Sequence, residues 1–343
     1  MSSGDGPPNH PTPPLRVLVA GATGYIGRHA VRELVRRGHS VVALARRPAG
    51  VEGAEQRIVE VTDPTSVRQD GVRGERFDAV VSCLASRTGG REDAWRIDHR
   101  ANLHLLEAAA QVKVRHFVLL SAICVQRPRL EFQRAKLAFE RALIDSGLAY
   151  SIVRPTAFFK SLAGQVERVK RGKPFLVFGD GALTACTPIS EPDVARFLAD
   201  CLEDRSLRNA ILPVGGPGPA LTPRQQGELL FELTGRPPRF RHVPVRMFDV
   251  AAAILGALGQ VVPALRDKAE LARIGRYYAT ESMLVLHPAT GRYDAAATPA
   301  YGRDTLRDFY VRVLRDGLRG QELGAHALFD RKDVSSAPSS APE

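Results

Sequence analysis

The sequence predicts a doubly wound parallel α/β sheet with a smaller, mainly helical C-terminal lobe. Three observations carry this expectation. Short apolar, β-branched runs alternate with helix-period segments between Leu15 and Val153. Three glycines spaced GxxGxxG fall between the first such run and the first helix. After Pro155 the alternation loosens, and the stretch from Phe240 to Phe329 reads as a helical lobe. Strand–helix alternation with right-handed crossovers places one binding crevice at the carboxyl ends of the strands.

Leu15 to Ala20 (LRVLVA) has the unbroken apolar character of a strand buried on both faces. A helix from about Arg28 to Arg37 puts Ala30 with Leu34, and Val31 with Val35, on one face, and Gly38 stops it. Ser40 to Ala45, Ile58 to Val61 and Phe77 to Cys83 supply the next strands. A helix near Ile97 to Ala110 aligns Ile97, Ala101, Leu105 and Ala108. His116 to Leu120 is a fifth strand, Glu131 to Ser146 a helix and Tyr150 to Val153 a sixth strand. Ala210 to Val214 offers a late strand, and Thr222 to Thr234 a helix opened by Thr-Pro. The expected domains are therefore 15–239, a nucleotide-binding unit with part of the substrate crevice, and 240–330, a covering lobe. Residues 1–14, with five prolines, and 331–343 read as disordered tails.

The net charge of +11 raises the question of nucleic acid. Of 48 basic residues only seven are Lys, and the 41 Arg are scattered without basic clusters or interleaved aromatics, so nucleic-acid binding is not expected. Adhesion to an anionic membrane surface stays open. Cys83, Cys124, Cys186 and Cys201 are far apart with no CxxC pair, which argues against a metal site or a disulfide framework. A reducing cytoplasm fits, and no signal-peptide signature is present. The longest apolar stretch, Val250 to Val262, falls short of the ~20 residues that span a bilayer. It reads as a buried helix of the lobe, with a greasy lid or a membrane-contacting face as alternatives.

Gly21-Ala22-Thr23-Gly24-Tyr25-Ile26-Gly27 sits where a dinucleotide loop belongs. The first glycine makes the tight turn, the second admits the pyrophosphate, and the third lets helix and strand pack closely. No Gly-Lys-Ser/Thr follows, so this is not a P-loop. An NAD enzyme needs a carboxylate at the end of the second strand. Here the strand runs into Arg46-Arg47, which suit the 2′-phosphate of NADPH. Asp63 is placed to reach the adenine, and Ala85 and Ser86 to lie along the cofactor.

Ser121 ends the fifth strand, and Phe132-x-x-x-Lys136 opens the next helix with both side chains on one face. The pattern resembles the short-chain dehydrogenase/reductase superfamily, whose active site pairs Ser with Tyr-x-x-x-Lys. Serine and lysine are retained, while Phe132 stands at the tyrosine position. That tyrosine normally protonates an alkoxide, and phenylalanine has no proton to give. Ordinary ketone reduction is therefore disfavoured.

Longer blocks narrow the resemblance: Ser82 to Gly90, Phe117 to Gln126, Leu130 to Lys136, Ser151 to Ser161, Phe178 to Gly181, and Ile274 to Tyr278 with Glu281 to Met283. Together they resemble the divinyl chlorophyllide 8-vinyl reductase family, an atypical, Rossmann-type branch of the superfamily, from about Leu15 to Phe329. The resemblance implies NADPH-dependent reduction of the 8-vinyl group of divinyl chlorophyllide or protochlorophyllide. Such an alkene reduction forms no alkoxide. It makes Lys136 and Ser121 the catalytic candidates, with Lys136 also holding the nicotinamide ribose. Water, Lys136 through a relay, or Cys124 stand as proton sources. Phe158 and Phe159 offer aromatic faces for a flat tetrapyrrole, or core packing. Phe132 would line the substrate site, and Arg154 would meet the propionate or cap the sheet. No histidine stands out as an axial ligand to the substrate's magnesium. The runner-up is a catalytically silent NmrA-like NADP-binding sensor or pigment-protein assembly factor.

Overall fold

Arg16–Ala20 forms β1, buried from Val17 onward, and becomes an interior strand of a seven-stranded sheet. The computed structural model describes residues 13–318 apart from 261 and 263. The expected tails, apart from residues 13 and 14, and the 319–330 end of the expected lobe lie outside the described residues. The strands that follow are β2 (Ser40–Ala45), β3 (Glu55–Ile58), β4 (Ala79–Ser82), β5 (His116–Leu120) and β6 (Ala149–Pro155). Next come β7 (Phe175–Phe178), which leaves the sheet, and β8 (Ala210–Val214), which rejoins it. The sheet order is β3-β2-β1-β4-β5-β6-β8, and every neighbouring pair is parallel. The chain works outward from β1 to β3 and then returns to lay β4 on β1's other side. That reversal opens the crevice beyond the carboxyl ends of β1 and β4.

Alternating side chains feed two cores. On one face Val17, Val19, Val41, Ala43 and Val81 meet α1 (Gly27–Arg36). On the other, Leu18, Val42, Leu44, Val80 and Phe117 meet later helices. After α2 (Pro64–Ser66) and α3 (Arg91–Ala94), those helices are α4 (Asn102–Gln111) and α5 (Glu131–Asp145). The expected helix over Ile97 to Ala110 begins instead as a π-helical segment, Trp95–Ala101, and only then becomes α4. Such a widened turn inserts a residue and re-aims side chains, often at functional sites.

β3 lies three residues earlier than its apolar run suggested. Its sequence is polar because Arg57 is buried, with its guanidinium on the Glu55 and Glu75 carboxylates and the Gly71 carbonyl. After α6 (Phe159–Leu162) and α7 (Val166–Lys170) comes α8 (Glu191–Glu203), a helix the periodicity reading missed. Ser190 caps it and Pro192 sits in its first turn. It packs on α1, where Arg37 bridges Asp200 and Glu203 at 2.8 Å each.

The second lobe has its own core of Phe159, Val166, Phe175, Leu230, Phe309 and Tyr310. It is built from α6, α7, β7, α9 (Pro223–Leu233), β9 (Phe240–Val243) and a C-terminal helix, with β7 and β9 paired in parallel. The lobe therefore takes chain from well before residue 239. Next come α10 (Arg246–Leu258) and α11 (Ala264–Thr280), packed together, then β10 (Val285–Leu286), β11 (Tyr293–Asp294) and α12 (Leu306–Asp316). The expectation of a buried helix near 250–262 is corrected. On α10 only Phe248 is buried, while Met247, Val250, Ile254 and Leu258 are each more than half exposed. Phe248 and Asp249 face α11, against Gly275 and Arg276, which turns the apolar stripe the other way.

Candidate active site

Gly21 follows β1 at φ +72°, and a Cβ there would come within 2.6 Å of the Cys83 carbonyl oxygen. A Cβ on Gly27 would lie 2.0 Å from the Gly21 carbonyl oxygen, so only glycine lets α1 start against the loop. Gly24 closes the turn, its N–H donating to Gly21 O at 2.9 Å. Ile26, at the N-cap of α1, has no side-chain acceptor, and the first turn carries no acid. An uncapped helix N-terminus free of carboxylates is a phosphate site.

Thr23 is exposed on this loop, and its carbonyl accepts from Arg28 Nη2 at 3.2 Å. Arg28 was not among the expected residues, although a basic residue directly after the third glycine was the available signal. Tyr25 packs edge-on against Phe158, with Lys160 Nζ 4.4 Å from its ring centroid. Its buried hydroxyl has no hydrogen-bond partner among the described residues. Arg46 and Arg47 are exposed just past β2. Gln56 pins their loop, donating to Arg47 O at 3.1 Å and accepting from Ala49 N–H at 3.2 Å. Asp63 caps α2 by accepting the Thr65 N–H at 2.8 Å, so one carboxylate oxygen is already engaged. The glycine cradle, the bare helix end and the exposed guanidinium pair fit a phosphorylated dinucleotide.

Ala85 and Ser86 follow β4 at the same end of the sheet, and here the sequence reading lacked a partner. Asp98, on the π-helical segment, is fully buried, and Lys136 Nζ donates to its Oδ1 at 2.9 Å. Ser86 N–H lies 3.4 Å from both Asp98 oxygens. Asn102 donates to the Asp98 carbonyl at 3.1 Å and accepts from Ser82 Oγ at 2.5 Å. Lys136 is thus fixed by a carboxylate that the loop after β4 also contacts. Burial pushes the Cys83 thiol up to about 12, with the Lys136 charge opposing. Cys124 is raised by burial too.

Phe132 is buried in a cluster with Cys124, Ile274, Tyr277 and Met283. The Tyr277 hydroxyl donates to Cys124 O at 2.8 Å. A Cβ on Gly89, at φ +69°, would meet Ile274 at 2.9 Å and Phe132 at 3.6 Å. Ile274 therefore sets α11 against Phe132 and the loop after β4.

Three expected site residues receive other tasks. Ser121 is buried and its hydroxyl donates to Glu140. Arg154 holds the same buried Glu140 through Nη2 and through Nε at 3.2 Å. A guanidinium already matched to a buried carboxylate is not available to a propionate, so Arg154 braces β6 against α5. Phe159 is 1% exposed and packs on Phe309, inside the second core. Phe158 stays half-buried beside Tyr25.

This sheet order, glycine cradle and carboxylate-paired lysine define a Rossmann-type NAD(P)H-binding fold. Residues 21–205 match the family model described as NAD(P)H-binding. The NADPH-dependent quinone oxidoreductase QOR2 of Escherichia coli superimposes with a TM-score of 0.65 over 87% of this chain and 99% of that one, at 17% identity. The chain is 56% identical over 331 residues to the chloroplastic divinyl chlorophyllide a 8-vinyl-reductase of Oryza sativa subsp. indica, covering 91% of this chain and 82% of that one. It is 26% identical over 209 residues to the Photosystem II assembly factor Ycf39 of a Synechocystis strain, covering 59% of this chain and 63% of that one. The chain belongs to the divinyl chlorophyllide a 8-vinyl-reductase family.

Proposed function

We propose that this protein reduces the 8-vinyl group of divinyl chlorophyllide or protochlorophyllide to ethyl, using NADPH. The observation that carries the reading is a fixed Lys136–Asp98 pair beside a phenyl ring at the usual tyrosine position, in a chain of this family. Bound NADPH would supply a hydride to one vinyl carbon. The chain's own residues do the rest. The glycine loop and α1 hold the pyrophosphate, Arg46 and Arg47 select the 2′-phosphate, and Ala85 and Ser86 line the path. Lys136 orients the ribose and adds positive potential where negative charge spreads into the macrocycle. Phe132 and Phe158 present apolar surface to the tetrapyrrole. The missing hydroxyl is tolerable because the charge is delocalised rather than held on one oxygen.

The test is optical. Purified protein with divinyl chlorophyllide and NADPH gives the blue shift that follows loss of one conjugated vinyl. No shift, with NADPH binding demonstrated, would favour a silent NADP-binding protein. Replacing Arg46 and Arg47 together by Ala should weaken NADPH about 30-fold, the ~2 kcal/mol of charge-assisted bonds to a phosphate, and NADH by less than threefold. Titration by nucleotide fluorescence reads both. Equal losses would remove the arginines from phosphate selection.

The exposed stripe of α10 supports docking on an anionic bilayer, the place where an apolar pigment accumulates. Exposed Arg239, Arg241 and Arg246 flank its start, and Arg266 and Lys268 follow its end, matching such a surface in charge. Val250→Glu with Ile254→Glu should abolish co-sedimentation with phosphatidylglycerol vesicles while leaving NADPH affinity intact. Unchanged co-sedimentation would discard this surface.

A further inference from the structure

The reaction needs a proton as well as a hydride, and Phe132 cannot provide it. Among the tyrosines of α11, Tyr277 spends its hydroxyl on the Cys124 carbonyl and is buried. Tyr278 is different. It is 42% exposed, yet its hydroxyl is turned inward and donates to Cys124 Sγ at 3.9 Å. Cys124 lies in the short helical turn Ile123–Gln126 just beyond β5, and it shares a cluster with Phe132. The Lys136 ammonium is near enough to act through space on the Cys124 thiol. A phenol hydroxyl on α11 thus reaches the turn just beyond the carboxyl end of β5, on a cysteine that shares the cluster around Phe132.

We propose that Tyr278 is the proton donor of the vinyl reduction. This deepens the function proposed above and rests on it. Its O–H bond breaks as a C–H bond forms at the vinyl carbon that did not receive hydride. The electron pair left in the macrocycle by hydride addition is consumed in that bond. The phenolate oxygen that remains recovers its proton from water admitted to the crevice as product leaves. The balance is vinyl plus NADPH plus one proton, giving ethyl plus NADP+. Sulfur is a weak acceptor, so the hydroxyl gives up little when it turns from Cys124 to substrate. Burial of the hydroxyl end and the neighbouring Cys124 and Tyr277 hold Tyr278 protonated well above the ordinary phenol range. Such a group is no general acid towards water-like bases, and it protonates a carbanion readily. The thiol of Cys124 is the competing donor, but it is buried beneath the phenol rather than open to the crevice.

The experiment compares wild type, Tyr278→Phe and Cys124→Ala by single-turnover absorbance with divinyl chlorophyllide and NADPH, in H2O and D2O. NADPH affinity and thermal midpoint are measured separately on each. Tyr278→Phe should slow the vinyl-to-ethyl step about 100-fold, within the range for loss of a general acid. Its solvent isotope effect should rise and its NADPH affinity should stay within threefold of wild type. A rate within threefold of wild type overturns the proposal, as does a loss of rate matched by a loss of NADPH affinity or of folding. A larger fall in Cys124→Ala than in Tyr278→Phe, with the thermal midpoint kept, overturns it in favour of the thiol. If wild type itself leaves the vinyl group untouched, the proposed function fails and this step fails only with it.

Discussion

Lys136→Ala is expected to slow vinyl reduction by about two to three orders of magnitude and to destabilise the fold by about 3–5 kcal/mol. The two effects have separate causes. The ammonium supplies positive potential beside the reacting macrocycle, and its removal is felt only when charge develops there. The stability loss arises because the Asp98 carboxyl, with no exposed side-chain surface, loses the cation that lies 2.9 Å from it. Ser86 N–H, 3.4 Å away, is a poor replacement. The double substitution Lys136→Ala with Asp98→Ala separates the two. It should regain most of the lost stability, because no unpaired buried charge remains, while turnover stays at the level of the single variant. Urea unfolding gives the first quantity and single-turnover absorbance the second. Recovery of activity in the double variant would show that Lys136 merely neutralises Asp98.

Local patterns made the cofactor half legible and left the substrate half obscure, for physical reasons. The glycine loop is written in seven consecutive residues because its function is a backbone shape, and each glycine answers to a close approach inside that shape. Lys136 was visible because it lies one helical turn from residue 132. Asp98 was not, since nothing in the sequence ties it to a lysine 38 positions on except the widened helix that aims it. Ser121 looked catalytic, and Arg154 a partner for the propionate or a cap on the sheet, because each lies at the end of a strand facing the crevice. Both turn to Glu140, a buried acid in α5 that no local motif links to either of them. Phe158 and Phe159 are adjacent, so a helix start at Phe159 sends one towards Tyr25 and the other into the second core. The apolar composition of α10 implied burial. The structure shows that a helix apolar on most sides can still leave one stripe uncovered.

Gly27→Ala sets two rules against each other, and magnitude decides. Alanine is the better helix former by roughly 1 kcal/mol, and Gly27 is the first residue of α1 with an ordinary helical backbone. Against this, the new Cβ would stand 2.0 Å from the Gly21 carbonyl oxygen, a backbone atom that cannot rotate away. Relief requires α1 to back off from the loop, pulling Ala30, Val31 and Leu34 from the core they share with β1 and α8. Overpacking of this kind costs about 1–3 kcal/mol, so the steric term exceeds the helix-propensity gain. The larger consequence falls on the ligand, because the helix N-terminus and the glycine loop must converge on the same phosphates. NADPH affinity should fall at least about 100-fold, ~2.7 kcal/mol. Gly38→Ala is the matched control. Its φ of +84° penalises any side chain by about 1–2 kcal/mol, but nothing lies within 4 Å of the added methyl. That variant should lose stability and keep its affinity for NADPH. If Gly27→Ala binds NADPH like wild type, the close approach of helix to loop is not what holds the pyrophosphate, and the site must lie elsewhere along the sheet edge.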